Sequence, residues 1–164
     1  MIYFAADHTG FELKNTLMSF VRDQVGYEVE DCGAYEENIE DDYPQIVATA
    51  ARHVSQNPTS NRAIVLGASG QGEAIVANRF QGVRAVVYYG EPSEETQTDA
   101  SGKQLSLIAS TREHNDANVL SLGARFLSVE EAKRAVRIWL ETSFPKDARH
   151  VRRINQIEGV ANDE

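Results

Sequence analysis

Apolar and polar residues form two kinds of segment along this chain, and the two kinds alternate. Short apolar runs that stop at glycine or at polar residues predict five strands, at 1–6, 27–32, 62–66, 83–89 and 117–122. Segments with apolar positions at helical spacing predict helices at 11–25, 45–54, 73–78, 104–113, 128–142 and 146–158. The alternation predicts an α/β chain with a doubly wound, Rossmann-like, three-layer fold around a mainly parallel five-stranded sheet.

Residues at the predicted helix ends support these boundaries. Gly26 stands where a C-terminal cap is expected, and Pro44 stands in a first helical turn, which tolerates proline. Ser128 leads a capping-box sequence, with a glutamate three residues later. The segments 36–42 and 90–103 are polar and acidic, and both are predicted to be exposed loops; the second is also expected to be mobile.

Length and charge limit the class of protein. The chain has 164 residues, enough for one domain spanning 1–164 and too few for two ordinary domains. Its formal net charge of -9 argues against a nucleic-acid partner or an anionic membrane surface, because both require clustered Lys and Arg. The chain shows no membrane-spanning apolar stretch, no features of a signal peptide and only one cysteine, so a cytoplasmic protein without an internal disulfide is expected.

A glycine-rich loop, GASGQG from Gly67 to Gly72, joins the third predicted strand to the third predicted helix. Its glycine spacing and its place after the third strand do not match a dinucleotide fingerprint, and no Lys-Ser or Lys-Thr pair follows to make a Walker loop. Two interpretations remain. The loop is either a tight turn, or a cradle in which backbone NH groups and the Ser69 hydroxyl bind an anion or a developing oxyanion.

Glu73 follows this loop in the first turn of the predicted helix. A carboxylate at a helix start is favourable by about 0.3 to 1 kcal/mol, so one interpretation is a simple helix-start residue with Gly70 as the cap. The other interpretation is a general base beside an oxyanion hole, which is the pairing that removes a proton next to a carbonyl. The sequence by itself leaves both interpretations open.

Other candidate groups follow predicted strands or their crossovers. They are Asp7, His8, His114, Asn115 and Arg125. Because ligands of doubly wound folds bind at the carboxyl ends of the strands, these groups and the glycine loop are expected to converge on one rim of the sheet. His8 and His114 are the acid/base candidates, whereas His53 lies within a predicted helix and is interpreted as structural or solvated.

The sequence gives little sign of a metal site and one sign of a phosphate site. No pair of histidines has the spacing of a helical zinc motif, and the one thiol is Cys32, so no metal is expected. The segment from Arg149 to Arg153, RHVRR, stands out in an acidic chain. Its arginines share a helical face and offer forked donors suited to a phosphate, or else they pair with the acidic surface. Arg125 either joins this cluster or makes a structural ion pair.

Several short motifs follow one another along nearly the whole chain. They are Ala6-Asp7-His8-Thr9-Gly10 with Leu13-Lys14, Asp31-Cys32-Gly33 with Asp42-Tyr43-Pro44, the glycine loop and Glu73 with Ala77-Asn78, Arg112-Glu113-His114-Asn115, Leu122-Gly123-Ala124-Arg125, and the segment RHVRR. No single motif is specific. Their order and number together resemble the type B ribose-5-phosphate isomerase family, which also includes galactose-6-phosphate and allose-6-phosphate isomerases.

This resemblance implies interconversion of an aldose phosphate and a ketose phosphate through a cis-enediolate, without metal or cofactor. In one branch of the family, a cysteine just before the glycine loop is the base. That position is Gly67 here, so the chain is similar to the other branch, in which the glutamate directly after the loop takes the proton between C1 and C2. The resemblance therefore implies Glu73 as the base.

The resemblance also implies roles for the remaining groups. Ser69 and the loop NH groups would stabilise the enediolate oxygen, His114 would help to open the sugar ring, and Asp7 would hold sugar hydroxyls. The implied substrate-binding set is His8, Tyr43, Gly67, Gly70, Gly72, Asn115, Arg125, Arg149 and Arg153, of which His8 and the three arginines would bind the phosphate. The family shares each site between two subunits, so a homodimer is implied, either alone or paired into a tetramer.

The segment 90–103 looks like an insertion relative to the family pattern, and it precedes the ring-opening residue. The favoured substrate is ribose 5-phosphate, converted to ribulose 5-phosphate. The alternatives are a six-carbon sugar phosphate, allose 6-phosphate or galactose 6-phosphate, and a non-catalytic sugar-phosphate sensor. The presence of Glu73, Ser69 and His114 together favours an enzyme, because a phosphate binder needs only arginines and backbone amides.

Overall fold

Five short apolar runs form one sheet in the computed structural model, which describes residues 1–91, 98, 102, 104 and 106–160. The strands are β1 Ile2–Ala6, β2 Val29–Asp31, β3 Arg62–Gly67, β4 Ala85–Tyr88 and β5 Val119–Gly123. They are all parallel, in the order β2-β1-β3-β5-β4. The predicted α/β fold is confirmed. Most of the predicted loop at 90–103 lies outside the described residues.

The helices that connect these strands lie close to their predicted positions. They are α1 Phe11–Phe20, α2 Tyr43–Gln56, α3 Gln71–Ala77, α4 Leu107–Asn115, α5 Val129–Glu141 and α6 Ala148–Val160. The last turn of the first predicted helix is a π-helical segment, Val21–Val25, and it ends at Gly26 in the left-handed conformation, with φ of 88°. Ser128 makes both hydrogen bonds of the predicted capping box.

β4 and α4 are among the elements that begin later than predicted, and in both of them side chains bind the backbone at the start of the element. β4 begins at Ala85, since the side chain of Asn118 accepts a hydrogen bond from the Arg84 NH at 2.8 Å and that of Asn78 accepts one from the Ala85 NH at 2.8 Å. α4 begins at Leu107 because the hydroxyl of Ser106 accepts a hydrogen bond from a first-turn NH.

Successive residues of each strand face opposite sides of the sheet, and helices cover both sides. On one side Phe4, Ile64 and Leu120 pack with residues of α1, α4 and α5, including the fully buried Trp139. On the other side the core contains residues of α2 and α3, with Val65 from the sheet. Burial on both sides explains why the strands are nearly continuous apolar runs.

The parallel strands give the sheet two different rims. We call the edge where the strands end the carboxyl rim and the edge where they begin the amino rim. Each helix between parallel strands returns the chain to the amino rim. Residues that follow a strand therefore lie at the carboxyl rim, whereas residues that end a connecting helix lie at the amino rim.

Candidate functional site

The ends of β3 and β5 lie side by side at the carboxyl rim, where Gly67 pairs with Gly123. The chain after β5 stays close to the chain after β3, because the Ala124 NH donates to the Gly67 carbonyl at 2.9 Å and the Arg125 NH donates to the Ala68 carbonyl at 3.2 Å. β1 ends beside β3, so Asp7 follows at the same rim. The predicted convergence is therefore confirmed for Asp7, the glycine loop and Arg125.

The glycine loop has a fixed backbone conformation at the start of α3. Gly70 is its N-cap, in the left-handed conformation with φ of 72°. Its carbonyl accepts a hydrogen bond from the buried hydroxyl of Ser121 at 2.6 Å, and a Cβ at position 70 would lie 2.9 Å from that oxygen. Sequence reasoning missed Ser121, because a serine within a core strand resembles other small core residues.

The carboxylate of Glu73 is buried over the end of β3. Glu73 is only 4% exposed, and a Cβ at position 67 would overlap its carboxylate. Burial raises the pKa of Glu73, its own backbone NH lowers that pKa in part, and the negative charge of Asp7 raises it further. A simple helix-start carboxylate would be hydrated. The position of Glu73 instead favours a base of increased strength next to the loop NH groups.

Asp7 fixes the turn between β1 and α1. Its Oδ1 accepts hydrogen bonds from the Thr9 NH at 2.9 Å, the Thr9 hydroxyl at 2.5 Å and the Gly10 NH at 3.2 Å. A Cβ at position 10 would lie 2.7 Å from Cβ of Leu66, so the glycine lets the start of α1 approach β3 closely. These contacts hold Asp7 and His8 at the rim.

His8 is hydrogen-bonded to the carboxylate of Asp41. Its Nδ1 lies 2.7 Å from Oδ1 of Asp41, and this hydrogen bond raises the pKa of His8, while partial burial and the positive charge of Arg125 lower it. Asp41 belongs to the acidic segment that the sequence predicted to be an exposed loop, but its side chain is only 10% exposed. Sequence reasoning therefore missed Asp41, which holds one of the predicted phosphate-binding residues.

Tyr43 also reaches the glycine loop. It is the first residue of α2, which begins on the carboxyl side of β2. A Cβ at position 72 would lie 2.5 Å from the Tyr43 hydroxyl, so this hydroxyl lies directly against Gly72.

His114 and Asn115 lie at the amino rim, because they end α4. The Asn115 carbonyl accepts a hydrogen bond at 3.0 Å from Nε of Arg84, which precedes β4. The His114 ring stacks on the ring of His150 from α6, with centroids 4.7 Å apart. Burial lowers the pKa of His150, and the charges of His114 and Arg149 lower it further. Arg149 precedes His150, and Arg153 lies one turn further along α6; both are exposed.

The prediction of one common rim is thus wrong for a single chain. Asp7, Glu73 and Arg125 lie at the carboxyl rim, but His114 and Asn115 lie at the opposite one. β5 alone spans roughly 13 Å at about 3.3 Å per residue, which is too far for both groups to contact one sugar. The sequence argument failed because it treated the end of a connecting helix like the end of a strand.

A cavity of about 510 Å³ lies under α6, on the amino-rim side of the sheet. This cavity is lined partly by Arg84, Asp116 and Glu158, and its lining includes none of the predicted site residues. Arg84 forms ion pairs with both of these carboxylates, at 3.1 Å each, so the cavity wall is internally neutralised. The predicted site residues therefore lie outside this cavity.

Two groups of side chains in the described part of the chain have donors close enough to hold a metal ion. They are Asp7, His8 and Asp41 at the carboxyl rim, and Glu30, Cys32 and His53 on the α2 side of the sheet. In the first group the donors already bind protein groups, as described above.

No helix within the described residues is long and apolar enough to cross a membrane.

Comparison with known proteins identifies the family. The family described as Ribose/Galactose Isomerase matches residues 2–157. Ribose-5-phosphate isomerase B of Mycobacterium tuberculosis strain H37Rv is 36% identical over 94% of this chain and 85% of its own length, and that of Escherichia coli K12 is 33% identical over 97% and 95%. A crystal structure of ribose-5-phosphate isomerase B from Mycoplasma genitalium with bound ribulose-5-phosphate has a TM-score of 0.86, with 29% identity over 99% of this chain and 97% of that one. The chain belongs to the ribose/galactose isomerase family.

Proposed function

We propose that this protein interconverts ribose 5-phosphate and ribulose 5-phosphate, with Glu73 as the base. The observation that carries the proposal is the Glu73 carboxylate, buried over Gly67 beside the start of α3. The names of the relatives support the substrate. A cytoplasmic location and a single domain over 1–164 belong to the same proposal, on the composition and length of the chain.

In the proposed reaction, Glu73 takes the proton from C2 of the open-chain aldose and returns it to C1. The hydroxyl proton moves from O2 to O1 in the same interconversion, so the product is the ketose and no cofactor is consumed. The negative charge that develops on the enediolate oxygen would be stabilised by Ser69 and the NH groups of Gly70 and Gly72. Loss of one such donor typically slows a reaction by about 100-fold to 1,000-fold.

The carboxyl rim supplies only part of the proposed site. It holds the base and the proposed phosphate contacts His8 and Arg125, whereas His114, the proposed ring-opening residue, lies at the amino rim with Asn115, Arg149 and Arg153. A complete site therefore requires the carboxyl rim of one chain and the amino rim of another. We propose a homodimer in which each chain contributes one rim to each of two sites.

The arrangement of the sheet suggests which surface the two chains share. β4 is an edge strand that α3 contacts, and the Asn115 carbonyl next to His114 is hydrogen-bonded to Arg84 just before β4, so Glu73 and His114 lie towards opposite ends of this half of the sheet. A two-fold axis at this edge, perpendicular to the strands, sets the amino rim of one chain against the carboxyl rim of the other. Ile75 on α3 is 59% exposed and lines a cleft of about 500 Å³ between α3 and β4, which fits a contact surface.

Direct measurement of ribose 5-phosphate turnover tests the proposed function. We expect turnover by the wild type with and without a chelator, near-complete loss in Glu73→Gln, and no loss in Glu28→Gln, an exposed glutamate before β2. Faster turnover of allose 6-phosphate or galactose 6-phosphate would instead favour the six-carbon alternative. Binding of these sugar phosphates without any turnover would favour the sensor, and full activity of Glu73→Gln would eliminate the proposed base.

A further inference from the structure

Three potential metal-binding side chains meet on the α2 side of the sheet. Glu30 and Cys32 alternate along and just after β2, so they face the same side, and His53 comes from the last part of α2. One donor atom from each lies within 4.8 Å of the other two. Carboxylate, thiolate and imidazole are the donors that zinc-class cations select.

The positions of these donors suit an ion better than they suit direct contact. Oε1 of Glu30 lies 4.0 Å from Nε2 of His53, which is too long for a hydrogen bond. Donors of these types on a tetrahedral zinc ion lie roughly 3.4 to 3.7 Å apart, given bond lengths of about 2.0 to 2.3 Å. The three atoms therefore need to close by only about 1 Å, and Glu30 is a half-exposed side chain with room to move.

The thiol of Cys32 is the buried member of this group. Cys32 is only 6% exposed, and its sulfur has no hydrogen-bond partner within the part of the chain that the structure describes. Burial raises the pKa of this thiol to about 12, and the charges of Glu30 and Asp31 add to the effect. The thiol therefore keeps its proton at neutral pH, and a bound cation must offset the cost of removing that proton.

The ring of His53 is held in a fixed orientation, as suits a metal ligand. Its ring stacks on Tyr3 of β1, with centroids 4.5 Å apart and planes 2° from parallel, and its carbonyl accepts a hydrogen bond from the Asn61 side chain at 2.8 Å. The side chains of His53 and Glu30 are 35% and 48% exposed, so an ion can enter from solvent. These three side chains supply three ligands, so a tetrahedral ion would keep its fourth coordination position for water.

We propose that Glu30, Cys32 and His53 bind one zinc-class divalent cation and thereby tie β2 to α2. Sequence spacing gave no indication of this site, since its members come from two elements that only the fold brings together. Binding releases the Cys32 proton to solvent, and no redox step is involved. The proposal does not depend on the proposed isomerase activity.

Cobalt(II) titration of the full-length protein, purified without metal, tests the site. We expect one Co²⁺ per chain with the intense near-ultraviolet charge-transfer absorption of a thiolate ligand, and displacement of Co²⁺ by Zn²⁺. Cys32→Ser should abolish that absorption. His53→Gln and Glu30→Gln, which change partly exposed side chains, should each weaken Zn²⁺ binding measured by calorimetry by about 10-fold or more.

Glu28→Gln serves as the matched control, because it removes a nearby exposed carboxylate outside the three-residue group, and it should bind Zn²⁺ like the wild type. Zn²⁺ should raise the melting temperature of the wild type and of Glu28→Gln, but not that of His53→Gln. The proposal would be overturned if the wild type and His53→Gln bound Zn²⁺ with equal affinity, or if Co²⁺ bound without charge-transfer absorption. The contact between Glu30 and His53 would then be only a long ion pair.

Discussion

The division of the proposed site between two rims predicts an unusual pattern of complementation. Consider a heterodimer in which one chain carries Glu73→Gln and the other carries His114→Gln. One site then combines the carboxyl rim of the first chain with the amino rim of the second, and both substitutions fall in it. The other site combines the intact Glu73 with the intact His114. The heterodimer therefore keeps one of its two sites in wild-type form.

The expected magnitude follows from this count. Each homodimeric variant should be slower by about 100-fold to 10,000-fold, the usual contribution of a positioned acid or base. The mixed heterodimer should have about half the wild-type turnover per dimer, since one site of two is complete. The contrast between the heterodimer and either parent is therefore large enough to measure even with incomplete purification.

Co-expression of the two chains with different affinity tags isolates the heterodimer, and ribose 5-phosphate turnover gives the readout. The control dimer pairs a wild-type chain with a chain that carries both substitutions. In this dimer each site receives one defect, so it should be nearly inactive. A control dimer with half the wild-type activity, together with an inactive mixed dimer, would show that each site lies within one chain and would refute the reasoning.

Three further predictions concern single residues at the carboxyl rim. Glu73→Gln should melt at a higher temperature than the wild type, and this difference should grow from about pH 4 to about pH 8. Because the pKa of Glu73 is raised, ionisation of its buried carboxylate costs stability as the pH rises, whereas this cost is absent below the ordinary pKa of a glutamate. A difference in melting temperature that does not change with pH would contradict this. Asp41→Asn removes the contact that raises the pKa of His8, so it should raise KM more at about pH 8, where His8 then loses its proton, than at about pH 6. The control Asp42→Asn should leave KM unchanged. Gly67→Ala should lower kcat by about 100-fold through displacement of Glu73, with little added loss in a Glu73→Gln background.

The fold was predictable because its signals are local. Each strand is a short apolar run and each helix has its own apolar face, so alternation along the chain is enough to indicate a parallel sheet covered on both sides. Glycine at 26 and serine at 128 mark helix ends through backbone conformation and capping, which also depend on a few neighbouring residues. Long-range pairing was needed only for strand order.

The site was less predictable because its contacts are not local. The contact between His8 and Asp41 spans 33 residues, and that between Ser121 and Gly70 spans 51 residues. Asp41 and Ser121 have no distinctive sequence context, because Asp41 stands within an acidic run and Ser121 stands within an apolar run. The role of His114 in acid/base chemistry stays a prediction, and its rim depends on the direction of α4, which spacing along the chain does not encode.

The relation between position 67 and Glu73 accounts for the branch of the family that this chain resembles. A cysteine base at position 67 would project its side chain into the space that the Glu73 carboxylate occupies, because even a Cβ there overlaps that carboxylate. The two bases therefore exclude each other in this backbone. Glycine at 67 is then required by Glu73, and not by the turn itself, since Gly67 is not among the glycines with positive φ. The same small volume at the end of β3 can hold a base that comes either from the strand or from the helix, and in this chain we propose that it comes from the helix.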